Sequence, residues 1–237
     1  MARLDAELIS RKLATSRERA KELIKDGYIA VNGSTVVKPS AETDESDVII
    51  STAEDFRYVG RGGYKLEFAL NEYSIDLRNK ICMDIGASTG GFTDCMLGLG
   101  AEKVYAVDVG HGQLAEKLRK DYRVVNMEKT DVRNISGVSV DFVSADVSFI
   151  SLTKILDKVY EVLKPNGTAV VLIKPQFEVG KKHIGKNGIV KDEKARKSAV
   201  ETVISHAEML GFKTGGPVKS PITGGSGNIE FLLQLTK

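Results

Sequence analysis

The sequence predicts an α/β protein: a doubly wound, mostly parallel sheet preceded by a small α+β unit. Three observations carry this expectation. From Lys80 onward, short apolar runs alternate with glycine-bearing loops and with stretches whose apolar residues recur three and four apart. That alternation builds a parallel sheet covered by helices on both faces. The first such loop, Asp84-Ile85-Gly86-Ala87-Ser88-Thr89-Gly90-Gly91-Phe92, follows a strand and opens a helix. Residues 1–48 carry a different local grammar, two short helices and a hairpin.

In that first part, Leu4, Leu8, Ile9 and Leu13 fit the apolar face of a short helix. Thr15-Ser16-Arg17-Glu18 reads as a capping box, with Glu18 three residues after Thr15. A second helix turns Ala20, Leu23 and Ile24 inward and stops at Gly27. Tyr28–Val31 then reads as a strand, Asn32-Gly33 as a tight turn and Ser34–Val37 as the partner strand. Residues 1–40 hold eight Lys/Arg against five Asp/Glu, whereas residues 41–56 hold six acids and no base. Residues 49–60 read as a connector.

Beyond it, the predicted strands are Ile81–Ile85, Val104–Asp108, Arg123–Val125, Val140–Val143 and Thr168–Ile173. Helices are expected over 91–99, 112–120, 152–163 and 192–210, the third with Leu152, Ile155, Leu156, Val159 and Leu163 facing the core. Segments around Lys213–Ser220 and Asn228–Leu235, separated by a glycine-rich turn, make a final antiparallel pair and bring the sheet to seven strands.

Bulk properties bound the alternatives. The chain of 237 residues has room for one large and one small domain, and 42% apolar with 28% charged residues is ordinary globular composition. No apolar run approaches the roughly 18 residues needed to span a bilayer. The N-terminal residues lack the apolar core of a signal peptide, so a cytoplasmic location is expected. Cys82 and Cys95 sit in apolar contexts and read as inert thiols, and no pair of the three histidines has ligand spacing, so no metal is expected. The net charge of +2 is too small to imply nucleic acid by itself.

The glycine loop is not Gly-x-Gly-x-x-Gly and no Gly-Lys-Ser/Thr follows it, so pyrophosphate dinucleotides and P-loop chemistry fit poorly. Gly86, Ala87, Ser88, Gly90, Gly91 and Phe92 are the loop candidates for holding a nucleoside cofactor. Asp108 ends the second strand, 22 residues after Gly86, where a carboxylate accepts from ribose hydroxyls, with Val109 beside it. Asp131 is placed for an adenine amino group. Asp84 lies where a cationic sulfonium and its amino-acid tail would sit, which favours S-adenosylmethionine. Four more polar residues, Lys65, Asp146, Lys174 and Glu230, each border an apolar stretch, and Asp146 also borders the cofactor region.

The first part resembles the S4 RNA-binding module through Arg3-Leu4-Asp5, Ser16-Arg17, Ala20, Ile24, Gly27 and Val31-Asn32-Gly33, over about residues 2–48. The resemblance implies an RNA-facing polar surface of Arg3, Arg11, Lys12, Arg17, Arg19, Lys21 and Lys25, suited to a phosphate backbone. From residue 60 the chain resembles the TlyA/hemolysin A family, whose catalytic domain is related to FtsJ ribose methyltransferases. Gly60–Leu66, Asp84–Asp94, Val107–Gly110, Ala145–Ile150, Ile173–Glu178 and Gly227–Glu230 carry the likeness. It implies a Rossmann-like methyltransferase over 61–237, S-adenosylmethionine as cofactor, and ribosomal RNA or ribosomal subunits as partner, with cytidine 2′-hydroxyls as targets; a monomer is expected. The segment Phe56-Arg57-Tyr58-Val59 departs from the Arg-x-Trp-Val type seen in some members.

The same resemblance makes Lys65, Asp146, Lys174 and Glu230 the catalytic tetrad. A ribose hydroxyl is a poor nucleophile, so Lys174 is expected to hold it, with its own pKa brought down by partial burial and by Lys65 nearby. Asp146 and Glu230 would orient the lysines. Arg61 and the basic loop with Lys181 and Lys182 are further RNA candidates. The competing readings are an RNA-binding, ribosome-associated protein without catalysis, a membrane-active haemolysin and an NAD-linked oxidoreductase.

Overall fold

A computed structural model describes residues 2–14, 16–51, 57–224 and 227–237, the side chain of Lys186 excepted. Two compact units divide at Gly60 and Arg61. Phe56, part of the segment that departs from the family pattern, lies outside the described residues.

In the first unit, β1 (Ala2–Arg3) leads into α1 (Leu4–Ser10), followed by α2 (Arg17–Lys25). Four short strands follow: β2 (Ile29–Val31), β3 (Ser34–Thr35), β4 (Glu42–Thr43) and β5 (Ile49–Ser51). β2 is flanked by β3 and β5, both antiparallel, and β1 pairs with β4. The expected connector therefore starts later than residue 49, because Ile49–Ser51 is a paired strand. Leu4, Leu8, Ala20, Leu23, Ile24 and Ile29 form the core, while Ile9, expected inside, is exposed.

The capping box needs a correction. Thr15 lies outside the described residues, and the helix starts one position later than expected. Ser16 has extended backbone, and its hydroxyl accepts from the Arg19 N–H at 3.1 Å. The third helical residue is thus basic Arg19, and Glu18 pairs instead with Lys21.

The second unit opens with α3 (Gly62–Glu72) and then winds its sheet. The elements are β6 (Ile81–Ile85), α4 (Gly91–Gly98), β7 (Lys103–Val107), α5 (Glu116–Arg119), β8 (Val124–Met127) and β9 (Val140–Ala145). They continue with α6 (Leu156–Val162), β10 (Leu163–Ile173), α7 (Pro175–Glu178), α8 (Glu193–Met209), β11 (Lys213–Thr214), β12 (Val218–Lys219) and β13 (Phe231–Thr236). The sheet order is β11-β13-β10-β9-β6-β7-β8, with β12 also paired to β13. β10, β9, β6, β7 and β8 are mutually parallel, and β13 is antiparallel to β10. The eighth strand arises because Gly215-Gly216-Pro217 interrupts the expected 213–220 strand, proline having no N–H to donate.

Two helices are shorter than the periodicity suggested. The expected 112–120 helix is only α5, and the expected 152–163 helix begins as a 3-10 turn over Leu152–Lys154. β9 and β10 are buried on both faces, as strands sandwiched between helix layers must be.

The Ser16 cap generates a stability expectation for the first unit. Ser16→Ala should lower its unfolding free energy by about 1 kcal/mol, read as a lower denaturant midpoint of the full chain. An unmoved midpoint would show that the hydroxyl adds nothing.

Candidate active site

The chain reverses its winding direction at β6, which has β7 on one side and β9 on the other. In open α/β sheets the crevice at such a reversal, outside the carboxyl ends of the strands, is where ligands bind. Gly86 sits there with φ +82°, and a Cβ on it would run into the backbone carbonyl of Asp146. The N–H groups of Gly86 and Ala87 both donate to Val107 O, at 2.8 and 3.1 Å, and Asp146 N donates to Ile85 O at 2.9 Å. The glycine loop is thereby stitched to both neighbouring strands.

Beside it lies a cavity of about 520 Å³ that Gly86, Ser88, Asp108, Val109, Asp131 and Asp146 help to line. A depression of about 590 Å³ beside α8 is larger, but neither the glycine loop nor a strand-end acid borders it. Asp108 accepts from the N–H of Ser88 at 2.8 Å and of Gly110 at 2.7 Å. An ionised carboxylate has about four acceptor positions, so two remain. Asp131 is gripped by the Arg133 guanidinium, which holds its carboxyl below the usual range. Val109 presents an exposed apolar surface.

Five loop candidates stand behind this wall rather than in it. Asp84, Ala87, Gly91 and Phe92 are buried, and Gly90 packs toward Leu114 and Leu118. Asp84 is fully buried, and its carboxylate meets two hydroxyls. It accepts from Thr93 at 2.7 Å and from Ser144 at 2.9 Å. Burial pushes its carboxyl up to about 7, against those two hydrogen bonds and with help from the charge of Asp146. The residue alternates with Met83 and Ile85 along a central strand, so its side chain necessarily enters one of the covered faces.

Several residues in the site escaped the sequence reading. Gln113, Thr130 and Arg133 line the cavity. Glu128 holds the segment before α5, accepting from the N–H of Gln113 at 2.7 Å and of Leu114 at 3.2 Å. Burial acts to raise its carboxyl, but Asn126, those two amides and Arg119 outweigh it and hold it at about 2. Phe149, also lining the cavity, is 91% exposed and has φ +66°.

Lys65, Asp146, Lys174 and Glu230 form two ion pairs. Lys65 of α3 meets Glu230 at 2.6 Å, both largely out of water. Lys174 meets Asp146 at 2.6 Å and donates to Ser148 Oγ at 2.8 Å. The Asp146 contact is an ion pair without hydrogen-bond alignment, since Oδ1 carries no hydrogen bond. Register brings the pairs to one edge: Ile173 is opposite Phe231, so Lys174 and Glu230 follow side by side. Lys65 is thus compensated by the carboxylate of Glu230. Asn228, buried two residues before Glu230, accepts from Val190 N and donates to Gly188 O, both at 2.9 Å.

The basic candidates of the first unit divide. Arg19 is 8% exposed and paired with Glu22, because it adjoins Ala20 and lies one turn before Leu23 on the inward side of α2. Arg11 donates to Glu7 and to the backbone carbonyls of Asp44, Glu45 and Asp47, so it pins the acidic turn. Arg3 is bidentate to buried Asp5, which Arg17 approaches at 3.6 Å. Lys12, Arg17 and Lys25 are exposed, and Lys21 pairs with Glu18. In the second unit Lys181 and Lys182 are exposed and Arg61 is half-buried. Among the described residues no cluster could hold a metal ion, and no helix is long and apolar enough to cross a membrane. Both cysteines are buried, and burial drives the Cys82 thiol up to about 12.

Comparison with known proteins matches an FtsJ-like methyltransferase to residues 58–237 and an S4 domain to residues 2–49. The 16S/23S rRNA (cytidine-2′-O)-methyltransferase TlyA of Mycobacterium tuberculosis is 44% identical, over 99% of this chain and 89% of its own length. Hemolysin A of Brachyspira hyodysenteriae is 43% identical over 97% of this chain and 98% of its own. A solved structure from Streptococcus thermophilus aligns with TM-score 0.80 and 44% identity, covering 100% of this chain and 88% of that one.

Asp84 makes stability depend on pH in a definite direction. Between about pH 4 and 7 the folded chain keeps a proton that the unfolded chain has released, so stability falls as pH rises, by at most about 1.4 kcal/mol per unit from this group. Asp84→Asn should flatten that slope in urea unfolding series at pH 5, 6 and 7. Parallel pH curves for parent and variant would refute the assignment.

Proposed function

The chain belongs to the FtsJ-like methyltransferases, and on that premise we propose that it moves a methyl group from S-adenosylmethionine to a ribose 2′-hydroxyl of ribosomal RNA, on cytidine. The observation that carries this reading is the Lys174–Asp146 pair with Ser148, standing at the strand edge on the border of a nucleoside-sized cavity.

The cavity residues fit the cofactor. Asp108 has two acceptor positions left after Ser88 and Gly110, enough for two ribose hydroxyls. Gly86 has no side chain to fill the approach, and Val109 offers an apolar surface for a purine. Asp131 is held ionised by Arg133 and suits an exocyclic amino group. When bound, S-adenosylmethionine supplies an activated methyl on a cationic sulfur.

The chain's own residues then have to place one oxygen. Lys174 takes the 2′-oxygen by hydrogen bond and stabilises the negative charge that grows there, with Ser148 as second partner, and the hydroxyl proton passes to solvent as the new O–C bond forms. Asp146 fixes the direction of Lys174, and Glu230 does the same for Lys65 from the neighbouring strand end. Displacement at a methyl needs collinear groups, so holding the oxygen on line supplies much of the acceleration. The exposed Phe149 ring gives the acceptor base a stacking face. Residues 1–48 bring the RNA through Lys12, Arg17 and Lys25, residues 61–237 do the chemistry, and Lys181 and Lys182 add phosphate contacts. A monomer in the cytoplasm, working on ribosomal subunits, completes the proposal.

Two substitutions test the two halves of the site. Asp108→Ala should weaken S-adenosylmethionine binding by about tenfold or more in calorimetry, the loss expected for hydrogen bonds to a charged acceptor. An unchanged Kd would remove the ribose role.

Lys174→Ala should lower kcat for rRNA methylation by about a thousandfold while cofactor Kd stays within about twofold, the mark of an interaction made chiefly in the transition state. Methyl mapping by nuclease digestion and mass spectrometry should find 2′-O-methylcytidine in RNA treated with the parent only. Methylation of a base instead of a ribose would refute the proposed reaction.

A further inference from the structure

Glu178 has no part in the chemistry above, yet it joins the two segments that present the Lys174 group. One segment runs from Asp146 to Leu152 after β9, and the other runs from Lys174 through α7 after β10. They are fastened at three places. Lys174 reaches Asp146 and Ser148. The rings of Phe149 and Phe177 lie 5.3 Å apart at 50°. At the far end Glu178 uses both carboxylate oxygens: Oε2 accepts from Ser151 Oγ at 2.6 Å and Oε1 from Leu152 N at 2.9 Å.

The first segment needs such a fastening. Phe149 holds φ +66°, a left-handed conformation that is unfavourable for a bulky side chain and persists only where the surroundings impose it. It lies between Ser148, which touches Lys174, and Ser151, which Glu178 holds. Ser151 in turn caps the 3-10 turn by accepting from Thr153 N at 3.2 Å. Burial keeps the Glu178 carboxyl above its usual range, opposed by the Leu152 and Ser151 donors. On the second segment Phe177 N donates to Lys174 O at 2.9 Å, tying the short helix to the reactive lysine.

We infer that Glu178 is a positioning residue for methyl transfer. It clamps the 146–152 segment onto the Lys174 strand end, so that Asp146, Ser148 and Phe149 keep their places against Lys174. The inference rests on the proposed methyltransferase reading. It makes a polar clamp, rather than the ion pair alone, responsible for the alignment of the acceptor oxygen.

The test uses the full chain with ribosomal subunits as methyl acceptor. Glu178→Ala should lower kcat by about ten- to a hundredfold, the scale of a small misplacement of reacting groups. KM and Kd for S-adenosylmethionine and the melting temperature should stay close to the parent. Glu178→Gln should recover kcat to within about threefold, because its amide oxygen still accepts from Leu152 N and its NH2 donates to the Ser151 hydroxyl. Ser151→Ala should lose part of the rate, and adding it to Glu178→Ala should cost less than it does alone, since both break one contact.

Parental kcat in Glu178→Ala overturns the clamp. So does loss in Glu178→Ala and Glu178→Gln alike, in step with falling melting temperature, which marks a merely structural role. Should Glu178→Ala not fold, parental kcat in Ser151→Ala overturns it. A parent chain that leaves rRNA 2′-hydroxyls unmethylated fails the function reading itself and the clamp with it. An active parent with an equally active Glu178→Ala fails the clamp alone.

Discussion

The seam between β6 and β9 is the constraint on which the second unit depends. At this seam Gly86 lies so close to the Asp146 carbonyl that no side chain fits between them. Closeness there lets the loop after β6 and the segment after β9 share one crevice. Because the strands are parallel, their carboxyl ends all emerge at the same edge, and Asp108, Asp146 and Lys174 emerge with them. β13 runs the opposite way, so its residue at that edge comes from its beginning, which is why Glu230 precedes its strand while the others follow theirs.

The charges at this edge are arranged at some energetic expense. Taking a lysine and a carboxylate out of water costs several kcal/mol per ion before their attraction is counted, and well-packed apolar residues often do as well. Lys65 and Glu230 accept that cost. Exposed pairs such as Lys120–Glu116 avoid it and contribute little. What a buried pair provides is direction: each ammonium is held by one carboxylate and cannot wander. Asp84 solves the same problem differently, with two hydroxyl donors and a carboxyl that burial shifts toward the neutral form.

The first unit shows how limited a count of basic residues is. Asp5, wholly buried, is held below the usual carboxylate range by its hydrogen bonds to Arg3, opposed by burial and helped by the charge of Arg17. Arg11 fastens the turn at residues 44–47 and Arg19 is largely covered. Residues that look like one phosphate-facing surface in sequence are thus partly internal ties, and the exposed remainder is smaller.

Much of the fold was determined by sequence alone, because its signals are local. The alternation of apolar runs and glycine loops specified a doubly wound sheet, and the Asn32-Gly33 turn specified its hairpin, with φ of +50° and +80° as such turns require. Strand ends carrying Asp108, Asp146, Lys174 and Glu230 were legible as candidates for the same reason. Only the tertiary structure decided which of these meet. The pairing of Lys65 with Glu230 spans 165 residues of chain, and the register of β13 against β10 sets Glu230 beside Lys174. Which residues of the glycine loop are buried and which border the cavity was likewise undecided until β7 and β9 were in place, and Asp84 and Phe92 fall among the buried ones. The start of α2 and the lengths of α5 and α6 were misjudged because Ser16, Glu128 and the 3-10 turn at Leu152 compete with intrinsic helix preference through bonds that periodicity does not record. Patterns two to four residues apart belong to the sequence; contacts made across the sheet belong to the fold.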